Sequence, residues 1–214
     1  MKAINLLSLF LLVFISFTAT AQKKYLEVSD SNRIVLLEQK VKKNNIDISG
    51  YQQDEKILRK PTFTKRKGLR ELKFPIDTAK NFEIECLVKI NKKKGVLNIW
   101  GAARPNIANP EDDSEKDILY QFDMWADGIY NVLQRLYKIL IGVKDLKKIR
   151  TDQAPDTRLI TIRKVKKEVQ FFVNKNLILV ILPPDPVNEI GFNMKESGVK
   201  IETIRISYLA EFTD

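Results

Sequence analysis

The stretch from Arg158 to Tyr208 constrains this chain most, because it reads as strand, turn and strand repeated with no room for a helix. The first strand is Leu159–Arg163. A charged turn, Lys164–Glu168, leads into Val169–Val173, and the turn Asn174-Lys175-Asn176 leads into Leu177–Leu182. That is a β-meander. The breaker Pro183-Pro184-Asp185-Pro186 follows, then Glu189–Phe192, a turn at Ser197-Gly198 and a last strand, Val199–Tyr208. Within that strand Val199 and Ile201 are in one phase while Ile204, Ile206 and Tyr208 are in the other. A bulge near Glu202-Thr203 is therefore expected.

Upstream the same period recurs in Leu69–Phe74, Phe82–Ile90, Val96–Trp100, Ile118–Trp125, Ile129–Tyr137 and Ile139–Val143. Turn signals separate them, among them Lys92–Gly95 and Ala126-Asp127-Gly128. Residues 22–60 are less clear. Ile34, Leu37 and Val41 recur at helical spacing, but Asn44-Asn45 and Ser49-Gly50 supply hairpin and turn chemistry, which favours strands joining the same body. Ten or more short strands do not stay open and flat. The expectation is an all-β fold, a two-sheet antiparallel β-sandwich of jelly-roll type, over residues 61–214.

Met1-Lys2, the apolar run Leu6–Phe17 and Ala19-Thr20-Ala21 have the charged start, apolar centre and small-residue site of a secretory signal peptide. Residues 1–21 are expected to be removed near Ala21, leaving a secreted or periplasmic chain with no transmembrane segment. Losing Lys2 leaves 36 basic against 27 acidic residues, a net charge of +9. Histidine is absent, which removes Ser-His-Asp and Cys-His catalysis and every His-ligated metal site. Cys86 is the only cysteine, so no disulfide can form within the chain. Its alternation with Glu83, Glu85 and Lys89 puts the thiol on a buried strand face.

Taken in order, Asn81–Glu85, Gly95–Trp100, Tyr120–Phe122 with Asp127–Tyr130, Leu159–Ile162 into Phe171–Asn174, Ile190–Phe192 and Ile204–Tyr208 resemble the concanavalin A-like lectin/glucanase jelly roll. Laminin-G-like domains belong to the same group. The resemblance spans roughly Leu69 to Leu209. It implies a binding module, commonly for carbohydrate, on a concave sheet face or along one rim of loops.

Four constellations could carry chemistry. The first, Glu111-Asp112-Asp113-Ser114-Glu115, matches the Glu-x-Asp-x-Glu pattern of family-16 glycoside hydrolases. Polar residues fill its intervening positions, and Asn109-Pro110 precedes it, which marks a loop rather than a catalytic strand. The chain is accordingly read as non-catalytic, with a glycan-active hydrolase as the alternative and a ligand-free envelope accessory as a third. The second uses the same loop: Asn109, Glu111, Asp112, Asp113 and Asp117 supply oxygen ligands suited to Ca²⁺, whereas a solvated acidic loop needs no ion. The third is a candidate sugar site, the alternative being that Trp100 and Trp125 only close the ends of the sandwich core. Gln121, Asp123 and Trp125 share one strand face, Asn131 follows on the next strand, and Trp100 and Tyr130 lie near, giving amides and a carboxylate beside aromatic rings. The fourth comprises the basic clusters Lys65–Lys67, Lys92–Lys94, Lys144–Arg150 and Arg163–Lys167. They lack the aromatic interleaving of a nucleic-acid face and are read as solvated turns and strand ends, with a weak preference for anionic surfaces.

Overall fold

The computed structural model describes residues 28–42, 45–66, 69–90, 96–103, 117–125, 129–136, 139–148, 157–195 and 199–210. Thirteen strands occur among them: β1 (Arg33–Lys40), β2 (Thr62–Arg66), β3 (Leu69–Pro75), β4 (Asn81–Ile90), β5 (Val96–Ala103), β6 (Asp117–Trp125), β7 (Ile129–Leu136), β8 (Ile139–Lys148), β9 (Thr157–Val165), β10 (Glu168–Val173), β11 (Asn176–Ile181), β12 (Glu189–Lys195) and β13 (Val199–Leu209). They form two antiparallel sheets. One has six strands in the order β1-β13-β4-β9-β10-β11; the other has seven, in the order β2-β3-β12-β5-β6-β7-β8.

The meander forms as expected: β9, β10 and β11 pair in sequence, and Asn174 and Lys175 both take positive φ, 50° and 65°. Such a pair matches the twist of a two-residue hairpin turn. At the proline run the chain leaves this sheet. β12 pairs with β3 and β5 in the opposite sheet, and β13 returns to lie between β1 and β4. The phase change in β13 is a bulge between Ile201 and Thr203, so both halves of the strand present their aliphatics inward. Thr62–Arg66, which includes part of the basic cluster Lys65–Lys67, is an edge strand hydrogen-bonded to β3.

Between the sheets the core is aromatic and aliphatic. Phe171 from β10 meets two rings of β6, with centroids 5.4 Å from Tyr120 and 6.4 Å from Phe122. Cys86, Ile160, Ile190, Phe192 and Ile206 belong to the same buried cluster. Close packing of this kind makes each inward position sensitive to volume. Two glycines show how tight it is. A Cβ on Gly101 would lie 2.3 Å from the Tyr120 ring on the core side, and one on Gly191 would lie 1.9 Å from the Trp100 indole on the outer side. No helix among the described residues is long and apolar enough to cross a membrane. The signal-peptide region falls outside the described residues.

Candidate functional site

The seven-stranded sheet turns a polar face outward, and strand register decides which residues meet there. Core-facing Leu72, Phe192, Ile99 and Phe122 pair across β3, β12, β5 and β6. Successive side chains alternate between faces, so their sequence neighbours point out. One outward row runs Glu71, Asn193, Asn98, Asp123 and Asn131 over five adjacent strands. The next row toward the β12 N-terminus is Lys73, Gly191, Trp100, Gln121 and Leu133. On the other side, Trp125 stands opposite Val96 of β5, whose other partner is Lys195 of β12.

Asp123 is the centre of this arrangement. Its Oδ1 accepts hydrogen bonds from Asn98 Nδ2 at 2.5 Å and from Gln121 Nε2 at 2.7 Å. Burial raises the Asp123 pKa above the usual carboxylate value, while the two amide donors pull it the other way. The Oδ1 atoms of Asn131 and Asn193, in the same row, are buried and accept no hydrogen bond. Each such acceptor costs about 1–3 kcal/mol when left unmet.

The six residues singled out from sequence divide three ways. Gln121, Asp123, Trp125 and Asn131 come together on the outer face, and all but Asp123 are partly exposed. Trp100 is on the same face but has no exposed surface; it lies over the gap left by Gly191 and underpins the face instead of offering a platform. Tyr130 does not belong to the site. It pairs with Met124 and faces the core, stacked on Phe122 at 6.0 Å. Since Asn131 stands opposite Asp123, its sequence neighbour must point the other way. Sequence reading missed Asn98 and Asn193, although both fall at outward positions of strands and register alone aligns them.

Of the acidic loop, Asn109, Glu111, Asp112, Asp113 and Glu115 lie outside the described residues. Asp117 opens β6, is exposed, and forms an ion pair with Arg135 of β7. Among the described residues no group of three or more acidic or thiol side chains is placed to hold a metal ion.

The six-stranded sheet also carries charge on its outer face, in a different form. Glu83 is 1% exposed. Its Oε1 accepts from Arg33 Nε at 2.9 Å and Nη2 at 2.7 Å, and its Oε2 accepts from Arg163 Nε at 2.7 Å. Arg163 stacks at 5.0 Å on Phe172, which is itself 2% exposed. The cluster is a closed clamp. A carboxylate gripped by two guanidiniums under so little exposed surface offers a ligand nothing to reach, whereas Asn98, Gln121, Trp125, Asn131 and Asn193 are each partly exposed.

No protein-family model matches the chain, and no curated protein matches it. Solved structures of similar shape include the CBM2 module of the evolved Dit of Lactobacillus casei BL23 phage J-1, at 10% identity and TM-score 0.49 over 72% of this chain and 77% of that one. Galectin LEC-6 of Caenorhabditis elegans matches at 13% and 0.46 over 73% and 99%, and carbohydrate-binding module CBM66 of Bacillus subtilis at 9% and 0.38 over 70% and 89%. All are far too distant to transfer a residue role.

Proposed function

We propose that this chain is an exported glycan-binding module that contacts its ligand through the outer face of the seven-stranded sheet. The reading rests on the row Asn193, Asn98, Asp123 and Asn131, in register and flanked by Gln121 and a partly exposed Trp125. Neighbouring strands are about 4.8 Å apart, so these four side chains extend over roughly 14 Å, a length on which a short oligosaccharide can lie. Sugars present hydroxyls to amides and carboxylates, and an apolar ring face to an indole. Glycosidase chemistry fits the row poorly. Its two carboxylates, Glu71 and Asp123, stand three strands apart, about 14 Å, beyond the ~5–9.5 Å that retaining and inverting pairs need.

A glycan array probed with the parent protein, Trp125→Ala and Asp123→Asn tests the reading. Retention of the parent on a subset of glycans is expected, with at least a tenfold loss in both variants. Both variants should melt close to the parent, because Trp125 is partly exposed and Asn keeps an oxygen acceptor for Asn98 and Gln121. A large fall in melting temperature in Trp125→Ala would make it a structural residue and remove the aromatic half of the site.

A further inference from the structure

We propose a second, separate binding site at the end of the sandwich, a cavity that takes an anionic group, carboxylate or sulfate, carried on a small polar body such as an acidic monosaccharide. The cavity has a volume of about 380 Å³, within the ~300–1,000 Å³ of ordinary small-molecule pockets. It lies where three connections converge. The end of β9 supplies Lys164 and the β9–β10 turn Lys166 and Lys167, the β11–β12 connection supplies a wall of three prolines with Asp185, and the β3–β4 connection closes it at Thr78. Val169 and Val187 complete the lining with apolar surface.

This is a built pocket rather than a patch of surface lysines. Lys164 occupies a core-facing position at the end of β9, opposite Phe82 and Val169, and is only 8% exposed. Its ammonium donates to the carbonyls of Thr78 at 2.8 Å and Lys80 at 3.0 Å. An ammonium has three N–H donors, so one remains for an incoming acceptor. Burial lowers the Lys164 pKa, partly offset by the nearby charge of Asp77, and an anion in the cavity would reverse that loss.

The lysine-bearing turn is fixed in place. Lys166 takes φ 56°, and its backbone N–H donates to Asn81 Oδ1 at 2.7 Å. Proline locks its own φ near −65°, so the opposite wall is similarly restrained and little ordering accompanies binding. Three lysines face Asp185 within the lining, and Asp77 offsets one of them, which leaves the cavity positive. A charge-assisted contact to carboxylate or sulfate is the chemistry this composition favours.

The test is calorimetry and amide-resolved NMR on the full chain with glucuronic acid, inorganic sulfate and neutral glucose, at low and high salt. Glucuronic acid is expected to bind, to shift the backbone amides of Lys166, Lys167 and Asp185, and to weaken as salt rises; glucose is expected not to bind there. Sulfate binding as strongly as glucuronic acid would identify the oxyanion itself as the determinant. A preference for glucuronic acid would identify the acidic sugar. Lys167→Glu, an exposed position, should weaken binding at least tenfold, and Lys164→Met should do the same with a melting temperature recorded alongside. Should Lys164→Met fail to fold, Lys167→Glu decides alone. Absence of binding by both anions, equal binding by glucose, or binding unchanged by Lys167→Glu overturns the proposal. The pocket shares no residue with the Asp123 row, so its failure leaves the outer-face reading intact.

Discussion

Replacing Gly191 by alanine should destabilise the protein through a single contact on the outer face. The added Cβ would stand 1.9 Å from Trp100 Cζ2 and 2.0 Å from Cε2. Carbon atoms pack at about 3.5–4.0 Å, so the indole or the strand must move by about 1.6 Å or more. Trp100 is completely buried and cannot swing into solvent, which puts the cost at about 2–3 kcal/mol, the upper part of the ~1–3 kcal/mol typical of overpacking. For a chain of this size that is a fall in melting temperature of ~4–12 °C. Gly50→Ala is the internal control, because a Cβ there meets nothing within 4 Å and the backbone is outside the left-handed region. It should be neutral or stabilise by about 0.4–1 kcal/mol. Trp100→Ala alone should cost about 3–5 kcal/mol. Combined with Gly191→Ala it should cost little more, since the new methyl enters the vacated space. Denaturant titration of the four variants reads all of this. A Gly191→Ala protein as stable as the parent, or a double variant whose losses simply add, would refute the packing of indole on glycine.

Glu83→Gln should cost about 3–5 kcal/mol of unfolding free energy in a urea titration, because the guanidiniums of Arg33 and Arg163 stay buried without their carboxylate; a loss below ~1 kcal/mol would contradict the clamp. Burial raises the pKa of Tyr51, Tyr120 and Tyr208 above the ordinary phenol value of about 10. Their protonated form is thus favoured in the folded state, and stability is full below about pH 10 and lost as pH climbs through the raised values. Ultraviolet titration should show these phenols ionising only with unfolding, and smooth ionisation of all six tyrosines near pH 10 in folded protein would count against it. Cys86 is fully buried and its thiol pKa is pushed up, so it should resist a thiol reagent until denaturant is added; prompt labelling of native protein would contradict its place in the core.

Much of the sandwich was legible because period two carries it. The meander β9–β11, the phase break in β13 and the inward face of β6 each follow from where aliphatic residues fall. β2 was not legible: Thr62–Arg66 is short and ends in basic residues, and as an edge strand it needs little apolar signal. Glu83 was readable as facing away from the core, but alternation cannot reveal that Arg33 and Arg163, 50 and 80 residues distant, converge on it. The same limit applies to the candidate site. Gln121, Asp123 and Trp125 share a strand and could be grouped by parity, whereas Asn98 and Asn193 join them only through cross-strand register. Tyr130 is next to the site in sequence only, since the pairing of Asn131 with Asp123 turns Tyr130 to the core. Trp100 looked like a platform, and Gly191 on the adjacent strand makes it a foundation.

An NMR titration that follows side-chain amides most directly tests the glycan face, using neutral oligosaccharides from several linkage classes added to isotopically labelled protein. The expected result is that, for at least one class, the Nδ2 signals of Asn98, Asn131 and Asn193 and the Trp125 indole N–H shift together and saturate. Silence of those four signals across the whole panel, or saturable shifts confined to the six-stranded sheet, would contradict it.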